Sequence, residues 1–139
     1  MSFEVFEPAT VGEAFHLLTD SGIDARPVGG GTALMLMMKA RLYQPDRLVS
    51  LRRLGDPFTG LELVDRGFAR IGAMTTFSEL ESSTLIAHYF PVVVETMKTL
   101  ANVRVRNVAT VGGNIAHADP HLDLPPVWIS LDAEAVITN

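Results

Sequence analysis

Hydrophobic residues recur at helical spacing in several short segments, most of which begin at a residue that favours a helix start. Thr10–Asp20 predicts the first helix, because Glu13 follows the capping Thr10 by three residues. Ala33–Lys39 consists of strong helix formers and predicts a helix that is buried over most of its circumference. Further helices are expected over Thr76–Ser82, Pro91–Ala101 and Leu122–Leu131, the last of them broken near Pro125 and Pro126.

Short strands are expected between these helices. Single strands are predicted over Arg26–Val28, Arg47–Leu51 and Ala133–Thr138. A hairpin is predicted where two apolar segments flank Asp65-Arg66-Gly67, namely Leu61–Val64 and Phe68–Ile71. Because strands and helices mix without strict alternation, the pattern predicts an α+β fold.

Composition and charge narrow the possible functions. Hydrophobic residues make up 47% of the 139 residues, which indicates a packed domain rather than a disordered chain. The formal charge of −5 argues against binding to nucleic acid. The chain has no cysteine, so it cannot itself form a disulfide, an iron–sulfur site or a zinc–thiolate site. The acidic N-terminus and the shortness of the apolar run Ala33–Met38 lead us to expect a cytoplasmic protein without a transmembrane segment.

Three consecutive glycines stand between a predicted strand and a predicted helix, in the sequence Val28-Gly29-Gly30-Gly31-Thr32. Glycine lets the backbone approach a ligand closely, and the free N–H groups at a helix N-terminus favour an anion such as phosphate. The motif is not the dinucleotide-binding Gly-x-Gly-x-x-Gly, because Leu34 occupies the position of the third glycine. It is not a P-loop either, since no Gly-Lys-Ser/Thr follows. The alternative is a tight turn that binds nothing.

A second glycine pair lies in Asn102–His121, a segment whose weak periodicity predicts an ordered loop. The pair is part of Thr110-Val111-Gly112-Gly113-Asn114, in which the threonine and the asparagine can form hydrogen bonds. A diphosphate needs donors from more than one side, so two such loops predict a pyrophosphate or nucleotide cleft rather than two unrelated turns. Arg104 and Arg106 beside this loop are expected to be solvated rather than to neutralise the ligand.

Possible metal ligands stand at alternate positions after the second loop: His117, Asp119, His121 and Asp123. Alternation brings such side chains to one side only in a strand, and Pro120 argues against a strand. We therefore expect no metal site, and expect the aspartates in turns or helix caps. His117 or one of the aspartates could instead face the ligand of the preceding loop.

The residues resemble a known family along essentially the whole chain. They are similar to the FAD-binding flavoprotein (medium) subunit or domain of molybdenum hydroxylases of the carbon monoxide and xanthine dehydrogenase type. The segments that carry the resemblance are Phe6–Pro8, Glu13–Ala14, Val28–Thr32, Ile71–Thr76, Arg106–Ile115, Asp123–Pro126 and Leu131–Ala133. The segment Arg106–Ile115 is the most specific of them.

The resemblance implies a PCMH-type FAD-binding fold. A small parallel three-stranded βα lobe is expected over residues 1–54, followed over residues 55–139 by the start of a mixed or antiparallel sheet lobe with helices. The family's unit is roughly twice as long, in line with an ordinary domain size. The second lobe is therefore expected to be incomplete, the C-terminal lobe absent, and the chain a truncated form or a fragment.

The resemblance also implies a non-covalent FAD and the residues that contact it. The first loop would line the diphosphate, the second would hold its other side, and two later residues would lie near the flavin or its ribityl and ribose parts. In this order, the residues are Val28, Gly29, Gly30, Gly31, Thr32, Ala33 and Leu34; Thr110, Val111, Gly112, Gly113 and Asn114; and His117 and Asp123. Gly30 and Gly113 are expected to approach the diphosphate, and no catalytic residue is assigned.

The implied function is electron transfer within a multi-subunit oxidoreductase. A large partner subunit would carry the molybdenum–pterin cofactor, and a small partner subunit would carry the [2Fe–2S] clusters, in agreement with the absence of cysteine here. FAD would pass the electrons to NAD, oxygen or a quinone. Two alternatives stay open: a truncated assembly module that binds flavin weakly or not at all, and a flavin oxidase with its own substrate pocket.

Overall fold

A parallel sheet forms the first part of the fold in the computed structural model, which describes residues 3–64 and 67–138. Its strands are β1 (Glu4–Phe6), β2 (Ala25–Val28) and β3 (Arg47–Ser50), in the order β1-β3-β2. Val28 pairs with Ser50 at the carboxyl end of the sheet. The strands predicted over Arg26–Val28 and Arg47–Leu51 are therefore confirmed as β2 and β3. The first glycine loop follows β2 and leaves the sheet at this edge.

Two helices connect the strands. The first is α1 (Val11–Leu18), in which the Thr10 hydroxyl accepts a hydrogen bond from the Glu13 N–H at 3.2 Å, as the sequence predicts. The Glu13 carboxylate accepts from the N–H of Ala9, one residue before the expected cap position. The second helix, α2 (Thr32–Lys39), begins directly after the glycine triplet.

The expected burial of α2 is wrong. Met38 is buried in this helix, whereas Met35 is 42% exposed and Leu36 is 68% exposed. The strong helix formers in this run determine the conformation of the backbone but not which faces are covered. A continuous apolar run has no polar stripe that would distinguish its outer face, so the sequence could not show that one side meets solvent.

An arginine holds α1 to the central strand. Arg47 is buried on β3, and its guanidinium lies 3.1 Å from the Asp20 carboxylate and donates to the Leu17 carbonyl at the C-terminal end of α1. Its guanidinium also lies 5.0 Å from the centre of the Phe6 ring on β1. Buried charge requires such partners, which here link the sheet to the helix.

An antiparallel hairpin follows the sheet. Its strands are β4 (Leu61–Val64) and β5 (Phe68–Ile71), which confirm the two predicted hairpin strands and pair with Leu61 opposite Ile71. The predicted turn falls mainly on residues 65 and 66, which lie outside the described residues.

Short helices pack behind the hairpin and form the main hydrophobic core. They are α3 (Phe77–Ser82), α4 (Thr84–Tyr89), α5 (Pro91–Thr99), α6 (Val103–Arg106), α7 (Val111–His117) and α8 (Leu124–Ser130). Fully buried side chains at the centre of this core include Leu80, Ile86, Val93, Met97 and Leu124. The helices predicted after Thr76 and from Pro91 are confirmed, and Thr76 caps α3 through a reciprocal capping box with Glu79.

Three sequence predictions are wrong in this half. Residues 102–121 contain α6 and α7 instead of only a loop, because Asn102 and Thr110 each cap a helix too short to show a full hydrophobic period. α8 is continuous, since its prolines lie in the first turn, where a missing N–H is tolerated. Residues 133–138 are exposed and form no strand, because no strand of the described chain pairs with them.

The observed mixture of elements confirms the α+β class, with a parallel sheet followed by an antiparallel pair and helices. The parallel sheet ends at Ser50 and the hairpin begins at Leu61, so the proposed lobe boundary after residue 54 lies between them and stays a prediction. Across residues 3–64 and 67–138, no helix is both long and apolar enough to cross a membrane.

Candidate functional site

The first glycine loop begins at the carboxyl end of β2 and opens α2. Gly31 occupies the N-cap position with a φ of +71°, a left-handed conformation that glycine adopts without strain. The Val28 carbonyl accepts a hydrogen bond from the Leu51 N–H at 2.9 Å, which ties the start of the loop to the end of β3. Ligands of open parallel sheets commonly bind at such carboxyl edges, so the loop has a favourable position.

The backbone donors of this loop are free. Among the described residues, no acceptor receives a hydrogen bond from the N–H groups of the consecutive residues Gly29 to Leu34. The first turn of any helix leaves such groups unpaired, and its dipole adds partial positive charge there. The stretch is therefore suited to an anion with several oxygen atoms.

The two glycine loops are in direct contact. A Cβ at Gly30 would lie 2.8 Å from the Cα of Ala109 and would overlap the carbonyl of Val108. A Cβ at Gly29 would lie 2.6 Å from Oγ1 of Thr110. The structure thus brings the two predicted loops together. Because Gly29 and Gly30 have no Cβ, the two loops can pack directly against each other.

The second loop differs from the first in its donors. The N–H groups of Val111 and Gly112 donate to the carbonyls of Thr75 and Ala73 at 3.0 and 2.7 Å. Those of Gly113 and Asn114 donate to the side chain and the carbonyl of Thr110. These N–H groups are already used to hold α7 in place.

The second loop nevertheless presents polar side chains. The Thr110 hydroxyl accepts from Gly113 and keeps its own proton for a further acceptor. The Asn114 side-chain Oδ1 is buried and has no hydrogen-bond partner in the described part of the chain. A buried polar atom without a partner is costly, so this atom is a candidate for contact with a ligand.

A cleft of about 210 Å³ opens beside the contact between the loops. Its lining residues come from four segments and comprise Arg52, Thr59, Met74, Thr76, Asn107, Val108 and Thr110. Of the predicted site residues, Thr110 lines this cleft, and a Cβ at Gly29 would meet two of its wall residues, Thr110 and Met74. The other wall residues were not assigned from the sequence. The available signal was that Met74, Thr76, Asn107 and Val108 lie in the segments that carry the family resemblance.

Contacts behind the cleft hold its walls in place. A Cβ at Gly72 would lie 2.5 Å from the Phe58 backbone, so the segment before Met74 packs tightly against the segment that carries Thr59. The Asn107 side chain accepts a hydrogen bond from the Ser78 hydroxyl of α3. Arg106, expected to be solvated, instead pairs with Glu81 of α3 at 2.9 Å. These contacts fix the second loop on α3.

The two predicted site residues that follow the second loop are both on the surface. His117 is exposed in the last turn of α7, and Asp123 is exposed at the N-terminal end of α8. Neither lines the cleft, and their assignment to the flavin remains a prediction. No cluster of three or more possible metal ligands occurs in residues 3–64 and 67–138.

Asp119 occupies the expected turn. Its carboxylate accepts hydrogen bonds from the backbone N–H of His121 at 2.9 Å and lies 3.0 Å from the ring Nδ1 of the same residue. The backbone hydrogen bond, followed by the ring contact, lowers the pKa of Asp119 from its ordinary value of 3.8. This arrangement is an aspartate turn, in which the contacts with His121 explain the position of the carboxylate without a bound metal.

Comparison with known proteins identifies the family. Residues 1–139 match the family model described as the FAD binding domain in molybdopterin dehydrogenase. The chain is 39% identical over 138 residues to the carbon monoxide dehydrogenase medium chain of Afipia carboxidovorans, covering 99% of this chain and 47% of that relative. It is 29% identical to the xanthine dehydrogenase FAD-binding subunit of Escherichia coli O157:H7, covering 93% and 44%.

Solved structures agree with the sequence comparison. Carbon monoxide dehydrogenase from Hydrogenophaga pseudoflava superposes with a TM-score of 0.87 at 39% identity, covering 93% of this chain and 44% of that chain. Quinoline 2-oxidoreductase from Pseudomonas putida 86 gives a TM-score of 0.83 at 30% identity, covering 90% and 43%. The chain spans about half the length of the relatives it matches. The resemblance inferred from the motifs is confirmed, and the chain belongs to the family of FAD-binding domains of molybdopterin dehydrogenases.

Proposed function

We propose that this chain binds FAD non-covalently where its two glycine loops meet, with the diphosphate at Gly29–Leu34. The observation that carries this proposal is the run of free N–H groups at the start of α2, beside a cleft and a second loop. Membership in a family of FAD-binding domains supports the diphosphate of FAD as this anion.

The donor groups of the site fit this ligand. A diphosphate offers several acceptor oxygens, and the backbone N–H groups of the first loop supply donors without a side chain in the way. Across the contact, the Thr110 hydroxyl can donate to the ligand, and the orphaned Asn114 Oδ1 can accept from a ligand hydroxyl or amide. The chain thereby offers donors from one loop and mixed polar groups from the other.

The same arrangement orients the cofactor. The cleft walls are fixed by backbone packing at Gly72 and by the contacts of Asn107 and Arg106 with α3. A ligand held at the loop contact is therefore presented in one orientation. When bound, FAD supplies the capacity to accept and release electrons, which the side chains of this chain lack.

We further propose an electron-transfer role in a molybdenum-containing hydroxylase or dehydrogenase. Electrons would arrive from [2Fe–2S] clusters on a small partner subunit, and a large partner subunit would hold the molybdenum–pterin cofactor. Two observations support this division: the chain has no cysteine to ligate a cluster, and several relatives are named as medium chains. The final acceptor would be NAD, oxygen or a quinone.

Equilibrium dialysis of the folded chain against FAD tests the binding step. FMN, which lacks the adenylate part, and ADP, which lacks the flavin, serve as competitors. We expect saturable binding that prefers FAD to FMN and is inhibited by ADP. Absence of binding by a chain with native circular dichroism would contradict the proposal and favour an assembly module without flavin.

Reduction of the bound FAD tests the electron-transfer role. We expect reduction when the partner subunits and their substrate are added, and none when the substrate is added to this chain alone. Direct reduction by an organic substrate without the partners would instead support an independent flavin oxidase.

A further inference from the structure

The turn after β3 places an arginine beside the first glycine loop. Arg52 follows the central strand, whose neighbour β2 leads into Gly29. The Leu51 N–H donates to the Val28 carbonyl, and the Leu54 N–H closes the turn by donating to the Leu51 carbonyl at 3.1 Å. Leu54 is buried, so the backbone on both sides of Arg52 is fixed at the carboxyl edge of the sheet.

Arg52 is the charged member of the cleft wall. Its neighbours around the cleft are threonines, a methionine, an asparagine and a valine, which carry no charge. Across the described residues Arg52 forms no ion pair, whereas Arg47, Arg70 and Arg106 are paired with acidic residues. Arg52, an exposed arginine without a carboxylate partner in the described chain, therefore lines a cleft next to the free N–H groups of the first loop.

Two independent features of this edge thus favour an anion. The N–H groups of α2 supply partial positive charge, and Arg52 supplies a full charge in a protein whose net charge is −5. The planar fork of a guanidinium matches the oxygens of a phosphate, to which it can donate two parallel hydrogen bonds.

We propose that Arg52 binds the diphosphate of FAD together with the N–H groups of Gly29–Leu34. This proposal rests on the proposed function and assigns a side chain to a site otherwise built from backbone donors. Arg52 is a binding residue for the cofactor, and its contribution is electrostatic.

Arg53 provides a matched control. It is exposed, adjacent in sequence and outside the cleft lining, and it forms no ion pair in the part of the chain that the structure describes. Arg52→Gln and Arg53→Gln therefore each remove one positive charge from the same turn. Only Arg52→Gln removes that charge from the lining of the cleft.

The test measures the FAD dissociation constant of the full chain at low and high salt for wild type, Arg52→Gln, Arg52→Lys and Arg53→Gln. We expect Arg52→Gln to weaken FAD binding roughly tenfold, the factor of one charge-assisted hydrogen bond. Arg52→Lys keeps part of the affinity, and Arg53→Gln leaves it unchanged. The salt dependence of binding is smaller in Arg52→Gln, and the affinity for ADP, which shares the diphosphate, falls by a similar factor.

Equal FAD affinity in Arg52→Gln and Arg53→Gln, with wild type binding FAD, would overturn the assignment of Arg52 and leave the proposed function standing. Absence of FAD binding by folded wild type would overturn the proposed function and the assignment with it. Circular dichroism and the urea midpoint confirm that each variant is folded.

Discussion

Gly30 and Val108 are in backbone contact across the two glycine loops. A side chain at Gly30 would overlap the Val108 carbonyl and would lie 2.8 Å from the Cα of Ala109. Gly30, which the sequence analysis assigns to the diphosphate, is thus required for the packing of the two loops against each other. The N–H groups of Gly29–Leu34 lie beside the cleft because this contact brings the loops together.

Gly30→Ala is expected to destabilise the chain by about 2–3 kcal/mol, because overpacking against backbone cannot be relieved by a rotamer change. FAD binding should be lost even where the chain stays folded, since the loops are forced apart. Urea unfolding and FAD dialysis measure the two effects.

Gly12→Ala is the control for that substitution. Gly12 lies in α1, and a Cβ there meets no atom of the described chain within 4 Å. Alanine favours a helix, so the stability should stay equal or rise by up to ~1 kcal/mol. Equal stabilities of Gly30→Ala and wild type would contradict the loop contact.

Thr110→Ala separates the capping role of Thr110 from its place in the cleft. Thr10 and Thr110 cap α1 and α7 in the same way, each accepting from an N–H three residues later at 3.2 Å. Alanine at either position should cost about 1 kcal/mol of stability. Only Thr110→Ala should also weaken FAD binding, roughly fivefold for one lost hydrogen bond.

Thr110→Ser keeps the hydroxyl and should restore most of the stability and of the FAD affinity. Thermal denaturation and fluorescence titration with FAD provide both readings. An equal loss of affinity in Thr10→Ala and Thr110→Ala would mean that the effect comes from stability alone.

Arg106→Gln is expected to lower the free energy of unfolding by about 2 kcal/mol. The guanidinium pairs with Glu81 and also donates to the carbonyls of Leu100 and Ala101 at 3.0 and 2.9 Å, and its side chain is 15% exposed. Glu81→Gln leaves the carbonyl contacts intact and should cost less. A double-mutant cycle measures the coupling; strictly additive effects would show that the ion pair does not hold the loop on α3.

Asp119 should titrate below its ordinary pKa of 3.8, because the His121 backbone N–H and ring stabilise its charged form. A group whose pKa is lower in the folded chain stabilises the fold above its unfolded pKa, and this contribution disappears as the pH falls through the folded pKa. In an NMR titration, His121→Ala should raise the pKa of Asp119 but leave it below 3.8, since the backbone hydrogen bond remains. An unchanged pKa in the variant would contradict the ring contribution.

The sequence predicted the elements that have local signals. Thr10 and Thr76 cap their helices as expected, and the two hairpin strands have the predicted bounds. These features depend on a few neighbouring residues, so a local pattern is sufficient to find them.

Features that depend on distant contacts were missed. The exposure of Leu36 follows from what lies beside α2, and the missing strand at residues 133–138 follows from the lack of a pairing partner in the described chain. Arg52 stands far in sequence from both loops and reaches the cleft because β2 and β3 are neighbours. Such placements arise from topology and cannot be read from local spacing.

The most direct test of the FAD site compares backbone amide hydrogen exchange of the folded chain with and without FAD. The amides of Gly29–Leu34 have no partner in the described chain, whereas those of Val111–Asn114 are already hydrogen-bonded. We predict that FAD slows exchange strongly in Gly29–Leu34 and changes it much less in Val111–Asn114. FAD binding that leaves exchange in Gly29–Leu34 unchanged would contradict the account.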